Sequence, residues 1–424
     1  MAPILGCIAD DMTGATDLAL MLGSQGMPVI QYIGLPDPSE ATPDEAAVVV
    51  GLKSRTCPVR DAVTRSLDAF QWLKGVGADR FFFKYCSTFD STDKGNIGPV
   101  AEALLKRSGG AITVVCPAFP LNGRTVYQGH LFVEDLLLSD SGMRHHPLTP
   151  MTDANLVRFL GRQVGDPRSV GLISLPTVEK GPETVGRRIA ELAAGNVRFA
   201  VVDAVKDSHL FTIARAVSDL PLVTGASALA MGLPKVYRKS GRLQPASGLV
   251  PLVSPPGHGA VLAGSCSEAT RRQVRHLART CPSFVIDPIA LAAGDLSIRH
   301  MVDWALDRLP EGPVIITSSA SPDRVVGIKH ALGDSRAGTI VEDALSRVAL
   351  ALKASGVRKL IVAGGETAGA VVTALGIRKL RIGPEIEPGV PWTVDGGSSG
   401  MILALKSGNF GSERFFSRAL EMVS

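Results

Sequence analysis

Short apolar runs, each ended by glycine or polar residues and followed by a helix-like stretch, recur along this 424-residue chain. Pro3–Ala9, Ala46–Leu52, Phe81–Phe83, Ile112–Cys116, Val170–Ser174 and Phe199–Val202 read this way in the first half. The run after Ala260, then Val314–Thr317, Leu360–Ala363 and Met401–Leu405, read this way in the second. Runs so short and so apolar suit strands buried on both faces. Strands alternating with helices predict an α/β fold. A chain of 424 residues, 45% of them hydrophobic, is too long for one ordinary domain and can bury large cores. Residues 238–259 break the pattern, with Pro245, Pro251, Pro255 and Pro256 among several Gly and Ser, as a linker would. The expected organisation is two domains, 1–237 and 260–424, each a mostly parallel sheet flanked by helices.

In open α/β sheets the carboxyl ends of the strands carry the ligand sites. Four successive strand ends in the first half are polar or charged: Asp10 and Asp11, Lys53 and Arg55, Lys84 and Asp90, and Asn122 and Arg124. Asp10 and Asp11 can accept hydrogen bonds from hydroxyls, act as general base or hold Mg²⁺. A bland alternative is that Asp11 or Thr13 caps a helix, expected over Leu18–Ser24. Arg55 and Arg124 offer planar forks that match a carboxylate. Asp and Asn suit hydroxyls. The set reads as a pocket for a small, polyhydroxylated acid. His145 and His146 are adjacent and have no third ligand at metal spacing, so one of them at most lines that pocket. Asp153 is expected to cap the helix that follows it.

The second half offers a different chemistry. Leu360–Ala363 runs into Gly364, Gly365, Glu366 and Thr367, and then into a helix-like stretch. A strand, a glycine turn and a helix N-terminus form an anion site, and phosphate is the natural guest. Ser265 follows another strand and either meets phosphate or caps a helix; alone, the cap is the simpler reading. Gly408 follows a third strand and permits close backbone approach, with Lys406 placed to neutralise phosphate charge. No Walker A is present, because Leu405 stands where the glycine before Lys is required. A sugar-acid pocket on one domain and a phosphate cradle on the other is the plan of a small-molecule kinase. Such an enzyme works mainly by positioning, charge neutralisation and a base for the attacking hydroxyl.

Other classes fit less well. Net charge is only +4, and no basic cluster interleaves with aromatics, so nucleic acid is not an expected partner. The six cysteines show no Cys-x-x-Cys pair and read as reduced thiols of a cytoplasmic protein. No basic region precedes the first apolar run, which Asp10 and Asp11 cut short, so a signal peptide is not expected. No apolar run is long enough to span a bilayer. A dinucleotide-dependent dehydrogenase would carry its glycine fingerprint after the first strand, where these aspartates would repel a pyrophosphate. A non-catalytic two-lobed binder would need a secretion signal or a transport partner. A homodimer is compatible with the sequence, which does not set the oligomeric state.

Six stretches together resemble the four-carbon acid sugar kinase family: Ile8–Asp17, Lys84–Thr92, Asn122–Thr125, Val362–Thr367, Glu387–Trp392 and Leu405–Gly411. The resemblance runs from near residue 4 to near residue 418. Met12 stands where the family more often has Phe, an apolar exchange. The resemblance implies an N-terminal sugar-acid domain, a C-terminal nucleotide domain, and transfer of a phosphoryl group from ATP with Mg²⁺ to the terminal hydroxyl. It implies ATP contacts at Ser265, Gly364, Gly365, Glu366, Thr367 and Gly408. It implies sugar-acid contacts at Asp10, Arg55, Lys84, Tyr85, Cys86 and Ser87; the expected base, as a hypothesis apart from the resemblance, is Asp10 or Asp11. The runs Lys94–Pro99 and Gly142–Pro147 point within the family to 3-oxo-tetronate as substrate, with threonate and erythronate as alternatives.

Overall fold

The computed structural model describes residues 2–146, 148–397 and 399–423. It divides into two compact units, one ending at Gly248 and the other beginning at Leu249. Pro147, which closes one of the family-like runs, lies outside the described residues.

The N-terminal unit is built on eight parallel strands. They are β1 (Leu5–Ala9), β2 (Val29–Ile33), β3 (Ala47–Gly51), β4 (Arg80–Lys84) and β5 (Thr113–Cys116), then β9 (Val170–Ile173), β10 (Phe199–Val202) and β11 (Leu222–Gly225). Between β5 and β9 lies a separate antiparallel ribbon of β6 (Arg124–Tyr127), β7 (His130–Val133) and β8 (Leu136–Leu137). The parallel order is β2-β3-β1-β4-β11-β5-β10-β9. The chain leaves β1 to build one side through β2 and β3, then crosses to the other side with β4. That reversal makes β3, β1 and β4 neighbours at a topological switch point, where such sheets place ligands. Their registers are level: Ala9 pairs with Gly51 on one side and with Lys84 on the other. Every residue of β1 and β3 is buried, as expected of parallel strands with helices on both faces.

The C-terminal unit repeats the logic in a mixed sheet. Its strands are β12 (His258–Ala263), β13 (Ser283–Val285), β14 (Val314–Thr317), β15 (Val357–Ala363), β16 (Lys379–Glu387), β17 (Val390–Asp395) and β18 (Ile402–Lys406), in the order β13-β14-β12-β15-β18-β17-β16. β17 runs antiparallel to both its neighbours, and the other pairs are parallel. Again the central neighbours are level, with Ala263 opposite Ala363 and Ala363 opposite Lys406. The core includes Val261, Ile361, Trp392, Phe415 and Phe416. Trp392 is wholly buried and donates its indole N–H to the Ala419 carbonyl at 3.1 Å.

Several local expectations change. The first helix is Met12–Ser24, so it begins six residues before the expected Leu18 and directly abuts Asp11. The stretch after Cys116 turns into the β6–β7 hairpin through Gln128 (φ 51°) and Gly129 (φ 71°). Buried Asp203, at the end of β10, fastens that hairpin. It accepts the N–H groups of Gln128, Gly129 and Leu175, each at 2.9 Å. Replacement of Asp203 by Ala leaves three backbone donors without their acceptor and is expected to cost about 3 kcal/mol. Thermal melting of Asp203→Ala against the parent checks this; an unchanged melting temperature would show that water satisfies those groups.

Candidate functional site

Each unit gathers its polar residues where three level strand ends meet. In the N-terminal unit Asp10 follows β1, Arg55 follows β3 and Lys84 ends β4. Backbone bonds fix the approach: Asp10 N donates to Lys84 O at 3.1 Å, and Ser54 N and Arg55 N donate to Asp10 O at 3.0 and 3.2 Å. The Arg55 guanidinium forks onto Asp10, Nε to Oδ2 at 2.9 Å and Nη2 to Oδ1 at 2.7 Å. Nη2 also meets Asp11 Oδ1 at 2.9 Å, whereas Nη1 stays 3.7 Å from Asp90 Oδ2. Asn96 holds the Arg55 loop from below, its Nδ2 facing the carbonyls of Ser54, Arg55 and Cys57 at 2.7, 3.1 and 2.9 Å.

Asp11 has two duties. Its side chain caps the Met12–Ser24 helix, accepting Gly14 N and the Thr13 hydroxyl at 2.9 Å each, and it shares Arg55 with Asp10. A Cβ at Gly14 would lie 2.1 Å from Asp11 Oδ1 and 2.4 Å from Lys84 Nζ, so only glycine admits both groups. Lys84 Nζ is 4.0 Å from Asp17 Oδ2, which also accepts the Ser227 hydroxyl at 2.5 Å. Cys86 Sγ is 3.0 Å from the Thr88 hydroxyl, which donates to Asp90 Oδ1 at 2.5 Å. Ser87 is buried beside them.

The two aspartates diverge in acidity. Burial raises the Asp10 carboxyl above the usual range, and Arg55 only partly opposes it. Burial also acts on Asp11, but Arg55, Lys84 and the Thr13 and Gly14 hydrogen bonds together outweigh it and lower the pKa. Burial lowers the Arg55 pKa, yet Asp10 and Asp11 more than compensate and keep it well above its ordinary value. Burial and Asp90 push the Cys86 thiol up to about 11, so it is a neutral group at physiological pH.

Not every expected pocket residue joins this cluster. Tyr85 points into the core, fully buried, with its hydroxyl 3.1 Å from Thr224 Oγ1 and its ring against Phe83 and Phe89. Asn122 and Arg124 belong to the turn and ribbon after β5, and β11 separates β5 from β4. Arg124 bonds the Asn122 carbonyl, and among the described residues neither side chain bonds the Asp10 cluster. His146 is held by Thr149, whose hydroxyl lies 2.8 Å from Nδ1. Asp153 is not the expected helix cap. Asn155 caps Leu156–Gly161, while Asp153 binds Arg158 and Arg162 in a polar cleft of about 440 Å³ that also includes His130.

The C-terminal unit brings together the turns after β12, β15 and β18. Gly264 N and Ser265 N donate to Ala363 O at 3.0 and 3.2 Å, and Gly364 N donates to Lys406 O at 2.8 Å. Gly364 has φ 122°, a conformation for glycine, and its Cβ would lie 3.0 Å from Thr367 Oγ1 and 3.2 Å from Ser265 N. A Cβ on Gly408 would lie 2.5 Å from Ser265 Oγ. The Gly365–Ala374 helix starts here, and its N-cap residue Gly364 supplies no side-chain cap. Gly365, exposed Glu366 and buried Thr367 form its first turn.

Two expectations fail here for clear reasons. Ser265 is not a helix cap: Ser267 caps Glu268–Leu277, and Ser265 Oγ instead accepts Ser267 N at 3.2 Å. Lys406 does not face a phosphate site. It is wholly buried, and Nζ donates to the carbonyls of Ser407, Gly408 and Phe410 and to Thr270 Oγ1 at 2.8 to 3.1 Å. Burial pushes its amine down to about 7, and Glu387 pulls it up. Three carbonyl acceptors around one nitrogen favour the ammonium, whose three N–H donors match them where a neutral amine has two. Gln273 adds bonds to the carbonyls of Phe410, Gly411 and Ser412 at 3.0, 2.9 and 2.9 Å. Glu387 accepts Ser412 N and Oγ at 2.5 and 2.7 Å.

The two units match two known domain families: a sugar-binding N-terminal domain over residues 5–233 and a nucleotide-binding C-terminal domain over 260–416. A Burkholderia multivorans protein named 3-oxo-tetronate kinase is 53% identical, covering 99% of this chain and 97% of its own. A Pseudomonas fluorescens protein of the same name is 52% identical over 100% of this chain and 97% of its own. The chain belongs to the four-carbon acid sugar kinase family. A Haemophilus influenzae crystal structure is 42% identical to this kinase, covers 99% of it and 100% of itself, and has a TM-score of 0.77. A Salmonella typhimurium structure, described provisionally as a tRNA synthase, is 41% identical with a TM-score of 0.85 and covers 99% of each chain.

Asp17, Thr88, Asn96, Gln273 and Glu387 have structural parts in these sites that the strand-end pattern did not single out. Asp17 lies about two turns along the first helix from Asp10, which was a usable signal once that helix began at residue 12. Asn96 and Gln273 act on carbonyls distant in sequence and leave no local trace.

Because the folded state lowers the Asp11 pKa, its charge adds stability above the unfolded value of 3.8, and that increment is lost as pH falls through the folded value. Asp11→Asn keeps a capping side chain and removes the charge. It is expected to lower stability by about 1–2 kcal/mol at neutral pH. The gap to the parent should close in acid. Melting curves at pH 7 and in the acid range measure this, and a gap that persists at low pH would assign the loss to packing.

Proposed function

We propose that this kinase transfers the γ-phosphoryl group of ATP to the 4-hydroxyl of 3-oxo-tetronate. The observation that carries the reading is the pairing of two kinds of strand-end site. One unit has an acid–arginine cluster in which Arg55 forks onto Asp10 and its Nη1 keeps only a longer, 3.7 Å ion pair with Asp90; the other has glycine turns around a helix N-terminus without a side-chain cap. The names of the relatives supply the substrate. In this reading Arg55 Nη1 and Lys84 take the substrate carboxylate. Cys86 and Ser87 offer neutral hydrogen-bonding groups to its oxygens. Asp10 is the base, because burial makes its carboxylate the more basic of the pair, while Asp11 is spent on the helix cap. The 4-hydroxyl gives its proton to Asp10 as its oxygen bonds to the γ-phosphorus, and the bond to the β-phosphate oxygen breaks to release ADP. Tyr85 supports the pocket from the core. The pocket does not call on Asn122 or Arg124.

On the C-terminal unit, the N–H groups of Gly365, Glu366 and Thr367, the hydroxyls of Ser265 and Thr367, and the Gly408 turn would hold the nucleotide phosphates. The positive φ of Gly364 and the close approach at Gly408, where a Cβ would lie 2.5 Å from Ser265 Oγ, fit that role. Mg²⁺ bound with ATP would neutralise phosphate charge. Among the described residues no group of three His, Cys, Asp or Glu side chains could hold a metal ion. The six free thiols suit a reducing compartment such as the cytoplasm.

The test is ADP release from Mg·ATP with 3-oxo-tetronate, D-threonate, L-threonate and D-erythronate. Turnover with the 3-oxo acid alone is expected; turnover confined to threonate or erythronate would overturn the substrate. Asp10→Asn should lower kcat about 10²–10⁴-fold with nucleotide binding kept. The acid limb of the parent's kcat/KM should lie above the usual carboxylate range, because burial raises Asp10. Unchanged turnover in Asp10→Asn would remove it from the role of base.

A further inference from the structure

The loop after β18 draws its carbonyls to one buried point. Those of Ser407, Gly408 and Phe410, with Thr270 Oγ1, lie 2.8, 2.9, 3.1 and 3.1 Å from Lys406 Nζ. Gly408 O also accepts the hydroxyls of Ser267 and Thr270, at 2.5 and 2.9 Å. Such a ring of oxygens is a cage for a small monovalent cation, and the chain fills it with its own side chain. Carbonyls converging without a cation would repel one another. The Phe410 N–H closes the loop on the Ser407 carbonyl at 3.3 Å, so the carbonyls that meet Lys406 belong to one tight turn around Gly408.

We propose that Lys406 serves as a built-in monovalent cation, whose ammonium gathers the carbonyls of Ser407, Gly408 and Phe410 and so fixes the Gly408 turn in the shape that receives nucleotide phosphate. Lys406 is then a positioning residue, and its charge acts through the loop without touching the nucleotide. The proposal rests on the nucleotide reading of that turn.

Lys406→Ala in the full chain empties the cage but keeps its oxygens. KM for ATP is expected to rise about tenfold, which is a weakening of about 1.4 kcal/mol. Ammonium chloride should reverse most of that rise, and sodium chloride at equal ionic strength should not. Lys406→Met fills the stem space with an uncharged chain and should lose ATP affinity without recovery in ammonium. If Lys406→Ala folds poorly, melting temperature is the readout: ammonium should raise it for this variant and leave the parent unmoved. An Ala variant indifferent to ammonium in both assays, or one that binds ATP as the parent does, would overturn the proposal. Calorimetry of the parent with Mg·ATP separates the two readings. A parent that does not bind nucleotide refutes the nucleotide turn, while the ammonium-dependent melting still decides whether the cage holds a cation.

Discussion

Arg55 is the interaction on which the N-terminal site depends. Asp10, buried, and Asp11, half-buried, lie side by side at the end of one strand, where two neighbouring carboxylates disfavour each other's ionisation. One guanidinium solves this by forking onto Asp10 and lending the same Nη2 to Asp11. Removing one partner of such a cluster costs far more than the cluster contributes, because the other charges are left buried. Everything around Arg55 follows from that constraint. Asn96 fixes its loop through three carbonyls, the backbone of Asp10 accepts two of its N–H groups, and Gly14 clears space for Asp11 and Lys84.

The same cluster sets the acid–base character of the site. Asp10 and Asp11 are adjacent in sequence and share one cation, yet their acidities move in opposite directions. Burial opposes the charge on both; for Asp11 it is outweighed by Arg55 and Lys84 together with a hydroxyl and a backbone N–H, whereas for Asp10 burial prevails over Arg55. A pair of titratable groups pushed apart in this way is the usual means of assigning different roles to identical side chains. The more basic carboxylate suits proton transfer, and the more acidic one suits a fixed structural charge.

Much of this was legible in the sequence because parallel strands bury both faces and so announce themselves as unbroken apolar runs. The ends of β1, β3 and β4, and those of β12, β15 and β18, carried polar residues that the topology then made neighbours. Side-chain direction was not legible. Tyr85 sits one residue past Lys84 yet belongs to the core, since alternate residues leave an extended chain on opposite sides. Arg124 looked equivalent to Arg55, but its strand end lies beyond β11, and strand order is not written in local pattern. The β6–β7 hairpin escaped notice because its turn is Gln128–Gly129, without the Asn or Asp that usually marks such turns. Ser265 and Ser267 are two residues apart and both suited to capping; only three-dimensional placement separates the cap from the group left to the glycine turns.

The C-terminal site answers a harder demand with different means. Glycine turns are the most mobile backbone a chain can make, because glycine loses the most freedom on ordering. A phosphate cradle nevertheless needs its N–H groups fixed before the ligand arrives, or binding must supply that ordering. Here the ordering comes from beneath. Gln273 spans three carbonyls, Glu387 holds Ser412 through both carboxylate oxygens, and Lys406 gathers three carbonyls and a hydroxyl. These side chains come from a helix, a hairpin and a strand end that are far apart in sequence. If the turns receive nucleotide phosphate as proposed, they can be glycine where the ligand approaches and still be held in place by these buried polar groups beneath them.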